Sequence, residues 1–140
     1  MQRERIPTHR LLERAGIAVG MRPETIEAVV EAYGDLARAR LAEGRPVAIP
    51  WFGIVSPTGD LVDGDDDVPG VVSLGELLPF VVERTGERPA SVALAVAGVT
   101  VEVERAFGRN AMVELPVVGV WTGRFGAWEP SHPVFGDERR

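Results

Sequence analysis

Only two histidines, His9 and His132, and no cysteine occur in this chain, and both imidazoles fall near its ends. Neither H-E-x-x-H nor G-x-S-x-G is present, so zinc-hydrolase and nucleophile-elbow chemistry have no residues to run on. Acids spread along the periodic segments read as solvated faces and ion-pair partners. The expectation is a protein that is not an enzyme, with no catalytic residue, no metal, no cofactor and no small-molecule substrate. One dense carboxylate cluster exists, Asp63, Asp65, Asp66 and Asp67. Alternate aspartates at 63, 65 and 67 match the opening of a calcium loop, but Val68 stands where that loop needs glycine and no Glu closes the twelfth place. A solvated acidic linker is the simpler reading.

Cations and aromatics carry the remaining chemistry. All 15 basic residues are arginine, whose planar fork grips phosphate or carboxylate bidentately. Arg38, Arg40 and Arg45 group together, Arg105 and Arg109 form a second group, and Arg124 lies beyond them. At the C-terminal ends of long helices such cations offset the negative helix end; facing outward beside a sheet, they would contact backbone phosphate. Trp51, Phe52, Trp121, Phe125 and Trp128 gather on or after two strand-like stretches. Buried, they are core or seam; exposed, they mark a protein interface or a base-stacking platform. The net charge of −6 is uneven. Residues 1–57 carry eight Arg against seven acids, residues 58–72 five Asp and no base, and residues 73–129 five Arg against seven Glu. That balance argues against a strongly basic nucleic-acid coat and leaves room for a local basic face.

These residues must be positioned by helices and short strands. Leu11, Leu12, Ala15 and Ile17 or Ala18 recur at helical spacing, which predicts a short helix over about 8–18, weakened by Gly16 and ended by Gly20. Arg22-Pro23-Glu24-Thr25 opens a longer helix whose stripe is Ile26, Val29, Val30, Tyr33, Leu36, Ala37 and Leu41, with Gly44 as its stop. Arg45 to Val55 then reads as a strand, with Val47, Ile49 and Trp51 on one side, bent at Pro50 and bulged at Gly53. Ser73 and Glu76 form a capping box before Leu74, Leu77, Leu78, Val81 and Val82, with Pro79 late in the first turn or just past it. Over 89–108 pattern and propensity disagree: Val99 to Glu104 alternates like a strand, while Val92, Ala95, Val96, Val99, Val103 and Phe107 keep helical spacing. A strand from Met112 to about Thr122 follows, after Asn110 as a stop, and Gly123 to Trp128 suits a return strand. Residues 1–10 are expected to fray, or to act as a basic arm, and residues 130–140 to be mobile or to wrap the body.

An internal repeat resolves the helix–strand conflict. Val47-Ala48-Ile49-Pro50-Trp51-Phe52-Gly53-Ile54-Val55 returns 66 positions later as Val113-Glu114-Leu115-Pro116-Val117-Val118-Gly119-Val120-Trp121. The same offset pairs Gly20 with Gly86, Arg22 with Arg88, Pro23 with Pro89 and Leu11 with Leu77. Gly and Pro mark backbone positions with special φ, so their register outweighs chance matches among Val or Arg. Residues 89–108 are therefore read as helix, like their counterpart. The organisation is repeat 1 over 1–57, an acidic linker over 58–72, repeat 2 over 73–129 and a tail over 130–140. A unit of roughly 60 residues buries little surface alone, so the two are expected to share one core. No apolar run approaches the ~20 residues that span a bilayer and no N-terminal apolar signal is visible, so a soluble, cytoplasmic protein is expected.

Each repeat is helix, turn, longer helix, then a strand ending in an aromatic-Gly pattern. That order resembles the amino-terminal half of the bacterial HU and IHF nucleoid proteins, whose strand reads V-x-L-x-G-F-G-S/T-F. Val47, Ile49, Phe52 and Gly53 match it, as do Val113, Leu115, Gly119 and Trp121; Trp51, Ile54 and Val55 depart from it. The resemblance implies an α+β fold in which two HU/IHF-like units are fused as an intramolecular pseudo-dimer. It also implies binding of double-stranded DNA without sequence reading, in an architectural, nucleoid-associated role. The family's basic β-arm, with its wedging Pro, has no counterpart here, so kinking by intercalation is not implied. A second expectation is a protein-interaction or assembly module, as in a phage structural complex, that reuses the body without DNA. A third is an acidic decoy that pairs with HU-like subunits or mimics DNA.

Overall fold

The computed structural model describes residues 4–58, 61–62, 68–109, 111–115, 119–121 and 128–129. Among these residues the chain forms β1 (Arg5–Ile6), α1 (Thr8–Val19), α2 (Pro23–Ala42), β2 (Val47–Ile49), β3 (Gly53–Val55), α3 (Leu74–Thr85), α4 (Pro89–Gly108), β4 (Met112–Leu115), β5 (Gly119–Trp121) and β6 (Trp128–Glu129). This is an α+β fold. A shift of 66 positions carries α1 onto α3, α2 onto α4 and β3 onto β5 with identical ends.

The helices begin and stop for local reasons. Pro23 and Pro89 occupy first-turn positions where a missing N–H costs nothing, and Arg22 and Arg88 before them are extended, with ψ of 142° and 154°. Gly20 and Gly86 end α1 and α3 in the left-handed region, with φ of 72° and 75°, where a Cβ would be strained. Gly16 has a tighter requirement than loss of helix propensity. A Cβ there would lie 2.5 Å from the Met21 carbonyl oxygen, so only glycine lets the chain turn back toward α2 at that distance. Ile17 and Ala18, the expected end of the α1 stripe, are both exposed, Ile17 at 84%. The stripe closes on Gly16 and Val19 instead, because Val19 packs against Gly98 of α4. In α3 the Ser73 hydroxyl accepts from the Glu76 N–H at 3.3 Å, while the Glu76 carboxylate turns to Arg45 rather than completing the capping box. Pro79 sits inside α3.

In α4 the strand-like alternation loses to burial. Val92, Ala95, Val96, Val99 and Val103 all fall inside, on one helical face. They join Ile26, Val29, Tyr33, Leu36 and Ala37 of α2 in a single core that also holds Ile6, Val47, Val72 and Val113. Tyr33 has no exposed surface and its hydroxyl donates to the Ala48 carbonyl at 2.6 Å. Among the described residues no helix is long and apolar enough to cross a membrane.

The expected strand over 45–55 is instead a hairpin. β2 and β3 pair antiparallel with Ile49 opposite Gly53, and the Phe52 N–H donates back to the Ile49 carbonyl at 2.9 Å. Pro50 has no N–H for a ladder and its φ suits a turn, so the chain reverses where a bend was expected. The stretch from Met112 divides likewise into β4 and β5, with Val113 opposite Trp121. β6 pairs antiparallel with β5 as a return strand. Asn110, Pro116 to Val118, Thr122 to Ala127 and the tail from 130 lie outside the described residues.

The two halves interlock. Ile6 of β1 pairs in parallel with Val113 of β4, and Val72 makes a parallel bridge to Val47 of β2. The 66-residue shift maps the first pair onto the second, since it carries Ile6 to Val72 and Val47 to Val113. Val72, at the end of the expected linker, thus belongs with the second half as Ile6 does with the first, and each half lends a short extended segment to the other half's sheet. The helices do the same: α1 packs chiefly on α4, and α3 on α2. The start of the chain is accordingly not frayed from residue 4 onward. Ile6 is 1% exposed, the Met112 N–H donates to the Glu4 carbonyl at 2.8 Å, and the Glu114 carboxylate accepts from the Thr8 hydroxyl at 3.0 Å. The same carboxylate also accepts from the Thr8 N–H at 3.4 Å, a cap from a distant strand at a helix start that Pro7 leaves without a side-chain acceptor.

Candidate functional site

The five described arginines expected to meet phosphate all hold carboxylates of their own chain. Arg38 lies 3.5 Å from Asp35, one turn earlier on α2, and Arg40 lies 3.8 Å from Glu43. The Arg40 guanidinium also covers the Phe80 ring, 5.4 Å from its centroid, which ties the end of α2 to α3. Arg45 makes a two-pronged bond to Glu76 at the start of α3, one prong at 3.0 Å, and donates to the Gly70 carbonyl at 3.2 Å. That bond holds the Glu76 carboxyl below its ordinary range and raises the Arg45 guanidinium. Arg105 lies 2.9 Å from Glu102, whose side chain is almost wholly buried in α4. Removing Arg105 would leave that carboxylate without its cation. Arg109 reaches Glu4 at 3.5 Å, and Arg14 reaches the other Glu4 oxygen at 3.7 Å. Arg124 lies outside the described residues.

Several of these pairs join the two halves. Asp35 of α2 takes both Arg38 and Arg84 of α3, the latter at 3.4 Å. Glu76–Arg45 and Glu4–Arg109 also cross. Arg38, Arg40 and Arg105 pair with carboxylates three residues away in the chain, but sequence spacing cannot show the partners of Arg45, Arg84 and Arg109, whose carboxylates sit 31 to 105 residues away. Three exposed arginines, Arg10, Arg22 and Arg88, have no ion partner among the described residues, and Arg22 and Arg88 occupy matching positions just before the two long helices.

The aromatic group divides. Trp51, expected as an interface residue, is 3% exposed in the hairpin turn, its ring tilted 56° to Tyr33 with centroids 5.5 Å apart. It belongs to the core, drawn in by the reversal at Pro50, and has no open face to offer. Phe52 is half-buried against the same core. Trp121 and Trp128 stand opposite each other in the β5–β6 register. Phe125 is outside the described residues, as are Asp60, Asp63 and Asp65 to Asp67 of the acidic linker and His132. His9 is exposed on α1. No group of three or more His, Asp or Glu able to hold a metal occurs among the described residues. An open hollow of about 440 Å³ at the α1–α2 corner is lined by Gly16, Ile17, Gly20, Met21 and Pro23, with Glu13 and Arg22 its only ionisable groups.

No protein-family model matches the chain, nor does any curated protein or solved structure.

Proposed function

We propose that the chain is a single-chain pseudo-dimer of two HU-like units that works as a protein-interaction or assembly module and lacks a functional duplex-DNA surface. One observation carries this reading: every described arginine of the candidate DNA face is already paired with a carboxylate of the same chain. A phosphate must displace Asp35, Glu43, Glu76, Glu102 or Glu4 to reach them, and the counterion release that drives duplex binding shrinks accordingly. The pseudo-dimer itself is supported by the 66-residue recurrence of helix, helix and hairpin, and by the reciprocal lending of Ile6 and Val72. Its setting is the cytoplasm, or a virion if the chain serves a phage structure.

Duplex DNA as the partner is a second reading, favoured by Arg22 and Arg88, which are exposed at equivalent places with no ion partner among the described residues. Binding of a labelled duplex of about 30 base pairs, followed by fluorescence anisotropy across a salt series, separates the two, because the slope with salt counts phosphate contacts. The assembly reading expects no binding even at low salt. A steep salt-dependent affinity that survives Arg38→Ala and Arg105→Ala but is lost in Arg22→Ala/Arg88→Ala would replace it with the DNA reading.

A further inference from the structure

The outward faces of the two long helices differ in kind. On α2 the exposed positions Glu24, Glu27, Glu31 and Asp35 make an acidic stripe. The residues 66 positions later on α4 are Ala90, Ala93, Ala97 and Val101, and all four are exposed. With Leu94, which follows Ala28 of α2, they form an unbroken apolar stripe, Leu94 being 45% and Val101 40% exposed. The fold therefore accepts charge at this place, as α2 shows, and the outward face of α4 carries none until Glu104. The stripe is also ordered. Ala90, Leu94, Ala97, Val101 and Glu104 recur at spacings of 4, 3, 4 and 3, the 3.5-residue period that keeps a seam facing a second helix along its length.

We infer that this seam is where two copies of the chain associate, α4 against α4, antiparallel about a twofold axis. The sizes of the side chains select that arrangement. Antiparallel pairing centred between Ala95 and Val96 sets Leu94 of one copy against Ala97 of the other, and Val101 against Ala90, twice each. Each apolar layer then joins one large and one small side chain, which lets the axes approach to the short end of the usual 8–10 Å range, and Glu104 lies beyond these layers, opposite Glu87 of the other copy at the rim. A parallel pairing would stack Leu on Leu and Ala on Ala, with alternating crowding and voids. Pairing with α2 of another copy would set the apolar seam on four carboxylates and leave them desolvated. An isologous contact also closes on itself, so association stops at two copies. Five residues a side is far below the roughly 20–30 of a standard interface, so the dimer is weak and depends on concentration. The inference deepens the assembly reading by naming one partner, and the two fail separately: DNA binding would end that reading and leave the seam intact.

Sedimentation equilibrium of the full chain, from about 10 μM to about 1 mM, the range of weak association, tests it. The average mass should rise from 15.1 kDa towards twice that value. Ala97→Glu and Val101→Asp place on α4 the residues that α2 carries, so both variants should keep the wild-type far-UV circular dichroism and stay at monomer mass throughout. A wild-type protein that remains monomeric at the highest concentration, or variants that associate as the wild type does, would overturn the proposal. The chain has no cysteine, so the register can be read chemically. Mixing Leu94→Cys with Ala97→Cys protein under mild oxidation should give mixed disulfide well above the statistical share, whereas a statistical mixture would sink the antiparallel arrangement.

Discussion

The interlocked fold stands on its first strand, and truncating Ile6 is the direct trial of it. Ile6 is 1% exposed and in parallel register with Val113, which has no exposed surface. Truncating a buried isoleucine to alanine costs about 2–5 kcal/mol, because the transfer energy of the lost carbons is joined by a cavity the neighbours fill only in part. Against a total stability of about 5–15 kcal/mol for an ordinary domain, that is a large share. At roughly 2–4 °C per kcal/mol for a chain somewhat larger than this one, the melting temperature should fall by about 10 °C. Urea unfolding followed by both far-UV circular dichroism and tryptophan fluorescence is the assay. Val72→Ala, at the equivalent place in the second half, should cost about 2 kcal/mol from its smaller side chain. Arg5→Ala, one residue away and exposed, should stay within about 0.5 kcal/mol. If Ile6→Ala also falls within that margin, the terminus is frayed, β1 is not part of the core and the reciprocal exchange of segments is wrong.

Other perturbations address single contacts. Tyr33→Phe removes the hydroxyl that donates to the Ala48 carbonyl and leaves that acceptor short of a partner, so stability should fall by about 1–3 kcal/mol. Burial raises the Tyr33 hydroxyl above the ordinary phenol range; absorbance near 295 nm should show no phenolate before the fold opens in alkali. Gly16→Ala would ordinarily stabilise a helix interior by about 0.5–1 kcal/mol. Here its Cβ meets the Met21 carbonyl at 2.5 Å, so a net loss of about 1–3 kcal/mol is expected in thermal melts, and a stabilised variant would refute the close approach. Glu76 is held below its usual value by its hydrogen bond to Arg45, so its contribution is present above the ordinary carboxylate range and is lost as the pH falls through the lowered folded value. Stability of Glu76→Gln should thus trail wild type at pH 7, and the gap should close in acid; a gap that persists to pH 2 would rule out ionisation as its cause.

Much of the backbone was legible from residue spacing. Pro23 and Pro89 open the long helices and Gly20 and Gly86 close the short ones, because these residues constrain φ whatever surrounds them. The repeat carried the correct helical reading of Val99 to Glu104, which local alternation contradicts. The reversals within the two strand stretches were missed, since Pro50 suits either a bend or a turn, and only the pairing partner across the hairpin distinguishes them. The expected site fared less well. Helix-end arginines are visible in the sequence, but what an arginine does depends on which carboxylate lies within 4 Å, and Arg45, Arg84 and Arg109 find theirs in the opposite half. Trp51 reads alike as core or interface until Tyr33 is seen beside it.

By itself the sequence determined where helices start and stop, that two stretches echo each other at a distance of 66, and that histidine and cysteine chemistry is nearly absent. Those are properties of single residues and of near neighbours, set by dihedral limits and by period. Only the tertiary structure decided which half's segment completes which sheet, that the described candidate cations are already paired, and that α4 leaves a second apolar stripe outside the core. Each of these depends on contacts between residues far apart in the chain, and burial, not local preference, selects among the pairings that the sequence leaves open.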